Sequence, residues 1–300
     1  MVHRMGTTGL PPDVRQWQLG GGMVATRAGS VFVRANPGPG PTVLLLHGFP
    51  SSSYDFRGVT ERLGDRSWLA LDFLGFGLSD KPRPHRYSLF EQADIVTDVI
   101  TATGAGPVVL IAHDMGTSVA TELLARDLAG TLPFEIQRAV LTNGSVIIER
   151  ASLRPSQKIL RGPLGPLLSR ITNRRSFLRG FARLFSAAHP LSDAEAQAQW
   201  TLLEREGGNR ILHMLCAYLN ERVTYAQRWH GAVRDWAKPL SFLWATDDPV
   251  ATTAVLSGLR ELRPAAEVVE LPGIGHYPQI EVPHEFTAAA VHLLRLPETN

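Results

Sequence analysis

The sequence predicts an α/β protein: a mostly parallel sheet of eight strands, helices on both of its faces, and one inserted helical cap. Three observations carry this expectation. Short apolar runs recur without polar alternation, as strands buried on both faces require. Helix-length stretches separate those runs, giving the strand-then-helix rhythm of a parallel sheet. The rhythm then stops between residues 146 and 236 before it resumes.

The elements follow in chain order. Residues 1–22 are Gly, Pro and polar in character and read as a loose lead-in. Met23 to Arg34 alternates around Ala28-Gly29-Ser30, the pattern of a hairpin at a sheet edge. From Thr42 onward the parallel part opens with the run Val43 to Gly48, which precedes a helical stretch, Asp55 to Leu63. Ser67 to Asp72 is the next strand, followed by a helix over Leu89 to Thr103. Pro107 to Ala112 leads into a helix over Met115 to Ala129. Arg138 to Thr142, Leu240 to Ala245 and Ala266 to Leu271 complete the strands, and a helix over Pro283 to Leu296 closes the chain. The core is therefore expected over 23–145 and 237–300, with residues 146–236 forming helices that cap it.

Composition excludes several classes. At 300 residues, with 44% apolar and 19% charged side chains, the chain can bury a large core and is not disordered by composition. Thirty basic residues against 28 acidic leave a net charge of +2, too little to attract nucleic acid by bulk electrostatics. The lone cysteine, Cys216, has no partner for a disulfide or a shared metal and reads as a small buried hydrophobe. The first 22 residues lack the apolar run of a signal peptide, and no apolar run approaches the length of a membrane span. The expected location is the cytoplasm.

Charge is divided unevenly. The insertion holds 14 basic and 7 acidic residues, the remainder 16 and 21. Arg150 to Arg183 contains nine basic residues and no acidic one, interleaved with Leu, Ile and Phe. This stretch reads as a solvated face whose apolar side lies on the core; the alternative is weak contact with an anionic membrane surface.

The chemistry concentrates at strand ends. Val108 to Ala112 is followed by His113-Asp114-Met115-Gly116, an acidic residue with a small residue two positions to either side, Ala112 and Gly116, at a strand-to-helix turn. Such a sharp turn pushes one side chain out beyond the sheet, and the helix start behind it favours negative charge on Asp114. His47-Gly48-Phe49-Pro50 follows the Thr42 strand, Asp248 the Leu240 strand and His276 the Ala266 strand. Singly, Asp114 reads as a helix cap, Asp248 as a turn residue and His276 as a solvated loop histidine. Together they stand at carboxyl ends of strands in the order nucleophile, acid, histidine.

With those residues the sequence resembles the α/β-hydrolase superfamily from Thr42 to Leu296, in the branch of epoxide hydrolases and haloalkane dehalogenases, whose elbow often reads Gly-His-Asp-Trp-Gly. Residues 71–92, with the segments around His47 and His276, look closest to the mesoderm-specific transcript proteins, an epoxide-hydrolase-like subgroup. The resemblance implies a carboxylate nucleophile, Asp114, that forms an alkyl ester on the enzyme, which water activated by His276 then cleaves without cofactor or metal. Asp248 would orient His276; Asp247 competes for that role, but the spacing from Ala245 selects Asp248. The N–H groups of Phe49 and Met115 would form an oxyanion hole.

Within the branch, dehalogenases grip halide with a tryptophan after the nucleophile, where this chain has Met115. Epoxide hydrolases donate to the opening ring from cap tyrosines, and Tyr218 is the candidate, with Tyr225 in reserve. A second cap tyrosine is missing, since none occurs between Val146 and Leu215; either one donor suffices with His189, His213 or water assisting, or the substrate is not an ordinary epoxide. Asn143, where some relatives keep a carboxylate, cannot serve as an acid. The expected function is hydrolysis of a small apolar epoxide, with haloalkane dehalogenation as one alternative and non-catalytic binding of an apolar ligand, or a membrane-surface role, as another.

Overall fold

In the computed structural model, which describes residues 9–296, eight strands form a single sheet. They are β1 (Gly22–Thr26), β2 (Gly29–Asn36), β3 (Thr42–Leu46), β4 (Trp68–Leu71), β5 (Val108–His113), β6 (Ile136–Thr142), β7 (Leu240–Ala245) and β8 (Val268–Leu271). Their spatial order is β1-β2-β4-β3-β5-β6-β7-β8. The hairpin β1-β2 is antiparallel, as is the join of β2 to β4, and every other pairing is parallel. The mostly parallel eight-stranded sheet expected from the apolar runs is therefore present.

The central strands explain their own position. Every residue of β3, β5 and β7 is buried, and such strands are stable only where helices cover both faces. On one face lie the helices Leu89–Thr103 and Met115–Leu128; on the other, Val59, Phe286 and Leu293 from the helices Arg57–Arg62 and Pro283–Leu294 pack with Val43, Val109 and Val140. The helix Leu89–Thr103 shows how local chemistry sets limits. The Ser88 side chain accepts from the Phe90 N–H at its start, and Gly104 ends it in the left-handed region at φ 65°.

The lead-in expected at residues 1–22 is corrected in part. Pro12–Leu19 is a helix with Val14 and Trp17 buried, and the Trp17 ring stacks on Trp68 at 6.5 Å. Residues 1–8 lie outside the described part. Apolar contact with β4 holds this short helix, which its Gly- and Pro-rich flanks do not announce.

Between β6 and β7 the chain forms a series of helices, from Pro155–Leu160 to Ala226–Asp235, with no strand. Buried polar contacts fasten these helices to the sheet layer. Glu122 accepts from Arg228 and from the Trp229 indole, and Gln199 donates to Asp55 at 2.7 Å. Among the described residues, no helix is long and apolar enough to cross a membrane.

Candidate active site

Successive strands leave β3 in opposite directions, β4 to one side and β5 to the other, so a crevice opens beyond their carboxyl ends. That is the place where open α/β sheets bind ligands. Two turns meet there, His47-Gly48-Phe49 after β3 and Asp114 after β5.

Asp114 is held at φ 46°, a left-handed conformation that strains any residue with a side chain. The turn closes only because its neighbours are small. A Cβ on Gly116 would stand 2.4 Å from the Leu46 carbonyl oxygen, and one on Gly48 would stand 2.6 Å from the Cβ of Asp114. In the resulting elbow the Phe49 N–H donates to Asp114 Oδ1 at 2.8 Å. Met115 follows as the buried first residue of the helix.

The His47 ring fixes the partner turn. Its Nε2 accepts from the Phe73 N–H at 2.9 Å, so the proton resides on Nδ1, which donates to the Gly48 carbonyl at 2.9 Å. The neutral imidazole suits its complete burial, which pushes its pKa down.

His276 and Asp248 lie beside Asp114. His276 Nδ1 donates to Asp248 Oδ2 at 2.7 Å, while its Nε2 stands 3.8 Å from Asp114 Oδ2, beyond hydrogen-bond reach. Burial works against a charge on His276, but the two carboxylates outweigh it and raise its pKa. Burial likewise opposes ionisation of Asp248; His276, the Val250 N–H and the Asn143 amide overcome it and keep its pKa low. Asp247, the competing acid, is exposed and accepts from the Thr246 hydroxyl.

Asn143, dismissed as an acid from the sequence, has another part. Its Oδ1 accepts from the Ala245 N–H and its Nδ2 donates to Asp248, so it locks the β6 and β7 ends together and aims the carboxylate. His113 steadies His276 from below, donating from Nε2 to the His276 carbonyl at 2.7 Å while Gln279 donates to its Nδ1. Burial and the charge of His276 push the His113 pKa down to about 4, so it stays neutral.

Arg222 was not singled out in the sequence. It is buried, donates from Nη2 to the Asp114 carbonyl at 2.9 Å and from Nε to Ser118 at 2.8 Å, and lies 4.7 Å over the Tyr218 ring. Its neighbours Asn220, Glu221 and Thr224 are polar, so the sequence around it carries no local sign of burial.

Tyr218 is buried, with its ring 5.8 Å from that of Phe49. Its hydroxyl has no hydrogen-bond partner; Gln157 lies near enough to influence it without bonding geometry. Burial and the charge of Asp114 push its pKa well up, so it is held protonated. The reserve residue Tyr225 is half-exposed and packs on Phe90 and Trp229 instead. His189 is exposed, and His213 bonds to Ser169. Neither lines the cavity.

That cavity has a volume of about 320 Å³ and runs from Phe49 and His276 between the inserted helices. Leu160, Leu168, Phe177 and Phe181 make its walls apolar, and Arg154, Arg179 and Arg183 lie along it. Asp114 and Tyr218, both buried, are not on the cavity wall and lie beyond Phe49 and His276. No group of three metal-ligating side chains occurs among the described residues.

An acid, a histidine and an elbow carboxylate on this sheet define a hydrolase of the α/β type. Residues 41–283 match the family model described as alpha/beta hydrolase fold, and the chain belongs to that family. It is 65% identical over 283 residues to a Mycobacterium tuberculosis (strain H37Rv) protein carrying the name hydrolase LipZ, covering 94% of this chain and 98% of that one. It is 36% identical to the human mesoderm-specific transcript homolog protein, over 93% of this chain and 87% of the relative. The haloalkane dehalogenase DbeA from Bradyrhizobium elkani superposes with a TM-score of 0.77 at 21% identity, covering 91% of this chain and 96% of the other, and so shares the fold.

Proposed function

We propose that this hydrolase works in two steps through Asp114 and opens an apolar epoxide to a vicinal diol. The observation that carries the reading is the seating of Asp114. One carboxylate oxygen accepts from the Phe49 N–H at 2.8 Å, the other stands 3.8 Å from His276 Nε2, and His276 is aimed by Asp248.

The steps follow from that seating. Oδ2 attacks a ring carbon, the ring C–O bond breaks, and the alkoxide takes the proton of Tyr218. The ester carbonyl oxygen is then Oδ1, already bonded to the Phe49 N–H and next to that of Met115, the pair that would stabilise an oxyanion. Water between His276 Nε2 and the ester gives its proton to the imidazole and attacks the carbonyl carbon. The acyl C–O bond breaks, the departing oxygen takes the second proton of that water so that Asp114 is again a carboxylate, the diol leaves, and the proton on His276 returns to the Tyr218 phenolate through solvent.

Two observations favour an epoxide over a haloalkane. The residue after the nucleophile is Met115, not the tryptophan with which dehalogenases grip halide. Tyr218 instead holds a protonated hydroxyl on a ring 5.8 Å from that of Phe49, which lines the cavity. The apolar wall fits an apolar substrate.

Diol formation from a panel of small apolar epoxides tests the reading. Asp114→Ala should lower turnover by roughly a thousandfold or more. Unchanged turnover in that variant would remove Asp114 as nucleophile, and halide release from haloalkanes without any diol would replace the epoxide by a haloalkane.

A further inference from the structure

The inserted helices carry a surface that the chemistry of Asp114 does not use. Eight large hydrophobic side chains are exposed among the described residues, and four of them fall between residues 159 and 171. They are Ile159 (43% exposed), Leu164 (62%), Leu167 (58%) and Ile171 (62%). Leu164, Leu167 and Ile171 are spaced three and four apart on the helix Gly165–Ile171 and its cap, so they share one outward face. Beside that face the helix turns inward, with Leu168 packed against the core and Ser169 bonded to His213. Clustered exposure of this kind marks a contact surface.

Charge identifies what the surface contacts. Of the nine basic residues from Arg150 to Arg183, only Arg150 has an ion-pair partner among the described residues, Glu261. Lys158, Arg170, Arg174, Arg175, Arg179 and Arg183 are exposed. A second copy presenting the same face would set like charges against each other. A surface that takes apolar side chains and also supplies negative charge is an anionic lipid bilayer. The cavity lies among the same helices, with Arg154, Arg179 and Arg183 along it.

We propose that the face formed by Leu164, Leu167 and Ile171, in the same stretch as the exposed Ile159 and the exposed basic side chains, docks on anionic lipid bilayers and brings the cavity to the membrane surface. Apolar substrate dissolved in lipid then reaches the cavity with little exposure to water. Docking itself does not depend on the reaction assigned to Asp114.

Co-sedimentation of the full chain with vesicles of phosphatidylcholine alone, and of phosphatidylcholine with phosphatidylglycerol, tests the proposal. The expected result is sedimentation with the mixed vesicles only, weakening as salt is raised. Arg170→Gln with Arg174→Gln and Arg175→Gln should weaken binding about fivefold for each charge removed. Leu164→Ser with Leu167→Ser and Ile171→Ser should weaken it independently. All six positions are exposed, so the melting temperature should stay put in both variants, and Asp114→Ala should bind as the unaltered chain does. Equal sedimentation with neutral vesicles, none with either, or unchanged binding in both triple variants would overturn the proposal. So would a dimer in solution that the serine variant converts to monomer, because that assigns the face to a second copy.

Discussion

Arg222 ties the carboxylate elbow to the inserted helices. Its guanidinium bonds the Asp114 carbonyl and the Ser118 hydroxyl, both 100 or more residues away in the chain. Asp114 sits in a strained conformation at φ 46°, and such strain persists only where surrounding bonds enforce it. Arg222→Met should remove two buried charge-assisted bonds, one to the Asp114 carbonyl, which keeps only the Thr117 donors, and one to Ser118, at a cost of about 1–3 kcal/mol, read as a lower urea midpoint. As a positioning residue, Arg222 should also affect kcat more than KM. Full kcat in a stably folded Arg222→Met protein would show that the elbow holds its shape alone. Asn143 teaches the complementary lesson. Its position at a strand end was visible in the sequence, but its bonds to Ala245 and Asp248 appear only when β6 and β7 lie side by side.

Among the elements, the inserted helix Asp193–Glu204 meets the turn after β3 through a buried polar cluster. Ser51 and Gln199 donate to the Asp55 carboxyl, Gln199 also donates to Glu195, and Glu195 pairs with Arg57. Burial pushes Asp55 up to about 7 from its ordinary 3.8. A carboxyl whose proton is held more tightly in the folded chain stabilises the fold below its ordinary value and loses that contribution as pH rises through about 7. The melting temperature should therefore fall across that range, and Asp55→Asn, which keeps the shape and removes the ionisation, should flatten the fall. An identical pH dependence in the variant would place the titration elsewhere. The strands and the elbow were legible because their signals are local: continuous apolar runs, and small residues around an acid at a strand end. The Asp55 cluster was not, since Asp55 and Gln199 are separated by 144 positions and leave no periodic trace. The helix Pro12–Leu19 was missed for a related reason, its burial depending on Trp68 rather than on its own pattern.

At the scale of the whole molecule, the basic insertion faces a more acidic core, 14 basic and 7 acidic residues against 16 and 21. Part of that difference is used inside the protein, where Arg228 of the insertion bonds Glu122 of the core. In the acid-free stretch up to Arg183 most basic side chains are exposed, while Leu160, Leu168, Phe177 and Phe181 line the cavity that reaches Phe49 and His276. Reaction and access are thus divided between core and insertion, and the claim on which the account stands is the covalent ester on Asp114. The most direct test is the intact mass of a folded His276→Gln protein after mixing with small epoxides and, separately, haloalkanes. Without the imidazole, water is not activated and the ester should accumulate. The expected result is an adduct equal in mass to the whole epoxide, located on Asp114 by peptide mapping. An alkyl adduct lacking halogen, formed from haloalkanes alone, would contradict the epoxide assignment, and no adduct from either panel would contradict the covalent mechanism itself.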